Sequence, residues 1–139
     1  MTLVIGIGNG FRRDDGAGLA VAQRLQGRPG LKVLTHHGEG TGLMALWRGH
    51  SKVVVIDAAS SGTAPGTIHH LSPCAIPPDL RFFSSHAFGL AEAVAMSQAL
   101  GDLPADFTVI AITGADFSAG EGLSEAVAAA VETVAAEIG

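Results

Sequence analysis

Four side chains in this sequence have the types and surroundings to do chemistry. Two adjacent carboxylates, Asp14 and Asp15, follow the apolar, glycine-rich run "VIGIGNGFRR"; a third, Asp57, closes "VVVID"; and His86 sits in "RFFSSHAFGL". An acid placed after three valines and an isoleucine must be solvated at a cleft, paired, or bound to a cation, because an unpartnered buried charge is costly. The plainer role for Asp57 is a hydrogen bond to the loop "AASSGTAPG" that follows it. For Asp14 and Asp15 the plainer role is to satisfy free N–H groups and the dipole at the start of a helix. Adjacent acids point in different directions, so one of the two can cap while the other faces a cleft. His86 is either a packed histidine at a helix start or an imidazole ligand or acid/base group. Together Asp15, Asp57 and His86 offer two oxygens and one nitrogen. That set suits a borderline divalent cation such as zinc or nickel, with coordination positions left open.

Glycines after a first strand raise the question of a phosphate cradle. The dinucleotide fingerprint needs a third glycine where Phe11 stands, and an acid at the end of the second strand, where the chain reads Leu34-Thr35-His36. The Gly-Lys-Ser/Thr triplet of a P-loop is absent, and two aspartates at a helix start would repel bound phosphate. The other histidines, His36-His37, His69-His70 and His50, are expected at the surface: neighbours on a strand point to opposite faces, so neither pair makes a natural two-ligand site.

These residues need elements to hold them. β-branched apolar runs at Leu3–Ile7, Leu31–Leu34, Val53–Ile56 and Phe107–Ile112 predict strands buried on both faces, with Thr67–Leu71 as a fifth at an edge. Between them, Gly18–Leu25, Gly42–Trp47, His86–Leu100 and Ser124–Ile138 carry helical patterns, the third entered through Ser84-Ser85 as N-cap types. Strands alternating with helices predict an α/β fold: three layers, α/β/α, with a twisted, mostly parallel sheet of about five strands. Ligands gather beyond the carboxyl ends of such strands, where Asp15, Asp57 and the segment holding His86 all fall. No repeat or low-complexity linker divides the chain, so residues 1–139 are read as one domain.

Composition narrows the partners. The chain has 139 residues, is 47% hydrophobic and 15% charged, and carries a net charge of -5 with 8 Lys+Arg against 13 Asp+Glu. Without a basic cluster, nucleic acid is not an expected partner. No apolar run approaches a membrane span, and the strand-like start has no basic region of a signal peptide. A single cysteine, Cys74, excludes a disulfide framework and a multi-cysteine zinc site, and fits a cytoplasmic location.

The segments "GIGNGFRRDDGAGL", "VVVIDAASSGTAPGTIH", "SSHAFGL" and "GADFSAGEGLSEAV" together resemble, in order and approximate spacing, the hydrogenase maturation proteases. The resemblance covers essentially the whole chain. It implies an endopeptidase that removes a C-terminal extension from the large-subunit precursor of a [NiFe] hydrogenase after nickel insertion. The cofactor implied is the nickel carried by that substrate, contacted transiently, with no tightly bound organic cofactor. The family's metal-contacting acid, second acid and histidine fall on Asp15, Asp57 and His86, which the resemblance also makes the catalytic residues. Two close carboxylates can share a proton, so an aspartic-type dyad of Asp15 and Asp57 is one form of the chemistry, although the usual Asp-Thr-Gly context is missing. A family Asp-Gly-Gly-Thr/Ser segment linked to substrate recognition is replaced by Gly38-Glu39-Gly40-Thr41, with Glu39 standing one position later than the family Asp. Glu39, Gly40 and Thr41 are therefore the expected recognition positions. Two alternatives compete: a nickel-holding maturation factor without peptidase activity, and a peptidyl-tRNA hydrolase-like enzyme, which shares the Gly-x-Gly-Asn opening but needs a basic groove.

Overall fold

The computed structural model describes residues 1–82 and 86–139. Among the described residues, six strands form one mixed sheet: β1 (Thr2–Ile7), β2 (Leu31–His36), β3 (Lys52–Ser60), β4 (Ile68–Leu71), β5 (Arg81–Phe82) and β6 (Asp106–Thr113). The order is β2-β1-β3-β6-β4, with β5 pairing to β3 off this path. β2, β1, β3 and β6 run parallel, while edge strand β4 and the short β5 are antiparallel to their neighbours. The helices are α1 (Ala17–Leu25), α2 (Gly40–Trp47), α3 (Leu90–Leu100) and α4 (Glu125–Ile138).

Strand alternation sorts the core into two layers. Leu3, Ile5, Val53, Val55 and Val109 pack with Leu43, Trp47 and Val94 on the α2/α3 side. Val4, Ile56, Ile110 and Ile112 pack with Val21, Leu25, Val127 and Val131 on the α1/α4 side. The fully buried Trp47 meets Phe107 edge-on at 4.9 Å and donates its indole N–H to Ser97, 3.1 Å away, which accounts for that buried hydroxyl.

The structure adds one strand and moves two boundaries that bear on the site. β5 is an additional short strand, bringing the sheet to six. β3 continues past Ile56 to Ser60, because β6 runs beside it to Thr113 and β5 pairs with Ala59 and Ser60. Asp57 is therefore inside a strand rather than at its end. α3 begins at Leu90 rather than His86, with the Gly89 N–H donating to the Glu92 carboxylate at 2.9 Å. The expected N-cap pair Ser84-Ser85 lies outside the described residues.

The glycines of the first loop serve close approach. A Cβ on Gly8 would run into the Asp15 carbonyl oxygen, and one on Gly18 into the carbonyl oxygens of Ile7 and Ile56. Backbone atoms cannot yield as a side chain can, so Gly18→Ala should cost roughly 3 kcal/mol, the upper end for overpacking. Urea unfolding measures it, and a loss below about 1 kcal/mol would show that α1 can shift away from the sheet.

Candidate functional site

Asp14 and Asp15 share a short 3-10 turn, Arg13–Gly16, between β1 and α1, yet do different things. Asp14 is fully buried and accepts four hydrogen bonds: from the Ala115 and Asp116 amides at 2.8 and 3.0 Å, and from the Ser124 amide and hydroxyl at 2.7 and 2.9 Å. Burial pushes its carboxyl up, but these bonds together outweigh it and hold the group below the usual carboxylate range. The capping expectation thus changes in detail. Asp14 caps neither the turn nor α1; it ties the loop before α4 to the first loop.

Asp15 is only 5% exposed, and its Oδ1 is buried without a hydrogen-bond partner. Desolvation raises its pKa to about 6, against the lowering effects of the Asn9 amide and the Arg12 guanidinium. Asp57 is 1% exposed. It shares the side of β3 used by Val53, Val55 and Ala59, so its carboxyl faces the α2/α3 layer. One oxygen accepts from the Ala58 amide at 2.8 Å. Burial, then the charge of Asp15, push the Asp57 carboxyl well above its ordinary value, and the Ala58 bond offsets only part of this. The two buried carboxyls are thus near enough for the charge of Asp15 to act on Asp57.

His86, half-buried, belongs to a different group. Its Nε2 lies 3.2 Å from Nδ1 of His37, with ring centroids 5.1 Å apart, and His37 stacks on His36 at 4.5 Å. The expectation that paired histidines diverge fails here because β2 ends at His36, so alternation no longer governs His37. Residues 49 positions apart meet, which no spacing rule reveals. His86 also lines a cavity of about 330 Å³ with Arg81, Gly89 and Glu92. A larger cavity of about 560 Å³ lies against α1 between Gly10, Leu19, Gln23 and Thr35 and contains none of these acids or imidazoles. Among the described residues, no three His, Cys, Asp or Glu side chains stand close enough to hold a metal ion by themselves.

Glu39 is the N-cap of α2: its carboxylate accepts from the Thr41 and Gly42 amides and the Thr41 hydroxyl, and these bonds hold its pKa down. Gly40 donates its N–H to the Phe88 carbonyl at 2.8 Å and lies against the Phe88 ring, so the segment after His86 rests on the start of α2. Glu39, Gly40 and Thr41 thus sit beside the imidazole cluster.

The donor set fits a cation. A buried carboxylate oxygen with no partner is a group awaiting a proton or a metal, and the second acid beside it adds negative charge to the same place.

A family model described as hydrogenase maturation protease matches residues 21–139, a span that begins after Asp15. The hydrogenase expression/formation protein HupD of Thiocapsa roseopersicina is 30% identical over 116 residues, covering 79% of this chain and 52% of its own. HoxM of Cupriavidus necator, a protein of the same description, is 28% identical over 116 residues, covering 79% of this chain and 57% of its own. The chain thus spans about half the length of these curated relatives. Among solved structures, the [NiFe] hydrogenase maturation protease HybD from Thermococcus kodakarensis is 28% identical with a TM-score of 0.76, covering 99% of this chain and 95% of its own. The hydrogenase maturating endopeptidase HybD from E. coli has a TM-score of 0.81 at 22% identity, covering 99% of this chain and 88% of its own, a likeness of fold. No helix among the described residues is long and apolar enough to cross a membrane.

Proposed function

The chain belongs to the hydrogenase maturation protease family, and from that premise we propose that it is an endopeptidase removing a C-terminal extension from the large-subunit precursor of a [NiFe] hydrogenase. The metal already inserted in that precursor is the recognition element, contacted by Asp15, Asp57 and His86. The observation that carries this reading is the buried Asp15 Oδ1, which has no hydrogen-bond partner and lies beside the buried Asp57.

The physical basis of the gating is the cost of that pair. In the free protein burial holds both acids above their ordinary range, Asp15 at about 6 and Asp57 well above its usual value, where burial and the charge of Asp15 favour its protonated form. A nickel-loaded precursor brings positive charge to the two acids, displaces the Asp57 proton and relieves the burial of both. An empty precursor leaves the cost in place. The scissile peptide is held at the same rim, and the ionised carboxylate takes a proton from the attacking water. Water adds to the carbonyl, the carboxyl passes that proton to the leaving nitrogen as the C–N bond breaks, and the products are a new C-terminal carboxylate and the released extension with a free amine.

Loaded precursor should therefore be processed on the order of 100-fold faster than empty precursor, which corresponds to roughly 3 kcal/mol of relieved burial. Incubating each with the protein and weighing the large subunit by mass spectrometry checks this. Equal cleavage of both would sink nickel gating, and cleavage of neither would sink the peptidase assignment.

A further inference from the structure

Beyond the three metal contacts of that reading, the loop after β2 brings a second imidazole to the same rim. We propose that His37 is a further metal ligand, forming with His86 a two-nitrogen clamp on the divalent metal that the precursor carries. The inference rests on the reading of His86 as a metal contact and adds a residue to it. Nδ1 of His37 and Nε2 of His86 are 3.2 Å apart. Two nitrogens each roughly 2.0–2.1 Å from one ion lie about 2.9 Å apart at the 90° angle of a square-planar or octahedral ion and about 3.3 Å apart in a tetrahedral one, so the rings already stand near the separation that a shared ion requires.

The placement of His37 is not explained by the core. Its side chain is exposed, beyond the last residue of β2, and the ring is held by stacking on His36 at an interplanar angle of 19°. His36 is in turn fixed by the Gly38 amide, which donates to its Nδ1 at 2.9 Å, and by its place beside Ile7 in the β1–β2 ladder. An exposed imidazole held in place by a stacked ring that is itself hydrogen-bonded to the backbone is pre-organised for a ligand. With no metal present, one N–H and one lone pair occupy the space between the rings; a divalent ion takes the place of that proton, which leaves to solvent. Two nitrogens make a weak site alone, as suits a metal whose remaining ligands belong to the substrate.

The test is a Ni²⁺ titration of the intact chain to millimolar concentration, followed by paramagnetic broadening of the histidine ring signals. His37→Phe keeps an aromatic ring for the stack on His36 and removes the nitrogens; His86→Phe does the same at the other position. Thermal melts confirm that both variants fold. Each is expected to weaken Ni²⁺ binding at least about tenfold, the lower bound for losing even an outer-shell partner. Wild-type affinity in His37→Phe, with loss in His86→Phe, overturns the clamp and leaves the His86 reading standing. Unbroadened His37 and His86 signals in the wild type overturn the clamp, while processing of nickel-loaded precursor decides the underlying function separately.

Discussion

Asp14→Ala is expected to lose about 4 kcal/mol of stability, most of what a marginally stable domain has to spare. The substitution strands the amides of Ala115, Asp116 and Ser124 and the Ser124 hydroxyl, whose bonds to Asp14 run between segments 101 to 110 positions apart. Each donor left unsatisfied in a buried place costs roughly 1–3 kcal/mol, reduced where water can enter. In a melt this is a fall of roughly 12–16 °C for a chain of this size. The pH dependence supplies a second signature. A carboxyl held below its unfolded value contributes stability that is present above pH about 4 and is lost as pH falls through its folded value. The gap between wild type and Asp14→Ala should therefore narrow in acid. A loss below about 1 kcal/mol at pH 7 would mean that the loop before α4 is held by other contacts.

The same four bonds show what a sequence reading can and cannot reach. The parallel strands were legible because β-branched runs at Leu3–Ile7 and Val53–Ile56 are buried on both faces. The length of β3 was not, because Asp57 to Ser60 owe their strand conformation to partners on β6 and β5 rather than to their own propensity. Asp15 and Asp57 were legible as candidates from an acid's cost beside apolar strands, and that cost is what the structure displays in the unpartnered Asp15 Oδ1. The division of labour between Asp14 and Asp15 was legible only in outline, since the donors to Asp14 come from the far end of the chain. His37 is exposed, as expected, but its ring stacks on His36 instead of diverging because alternation does not reach past the last residue of β2. Glu39 was marked by position, while its local work as the cap of α2 follows from its spacing to Thr41 and Gly42.

Asp57→Asn should do the opposite of Asp14→Ala: it should raise stability at pH 7 and remove processing. Both Asp15 and Asp57 have folded values above their unfolded ones, so the folded state holds more protons than the unfolded state above pH about 4. Stability then falls as pH rises, by about 1.4 kcal/mol per pH unit for each proton fully retained. Asp15 contributes to this slope up to about pH 6, where it ionises, and Asp57, raised by burial and by the charge of Asp15, adds its own share. Asparagine keeps the shape and the oxygen that the Ala58 amide needs, carries no charge and takes up no proton on folding. The variant should therefore show a flatter stability profile above pH about 4, with the Asp57 share of the slope removed, and a higher melting temperature at pH 7. Its processing of nickel-loaded precursor should fall by roughly 10²–10⁴-fold, the range for losing a positioned acid or base. Chemical unfolding across that pH range and a mass-resolved cleavage assay on the same preparation read both effects. A buried acid kept for structure would behave otherwise: Asp57→Asn would be destabilised and would still cleave. Gain of stability with loss of processing marks a carboxyl retained at the expense of the fold, which is the relation the unpartnered oxygen of Asp15 already points to.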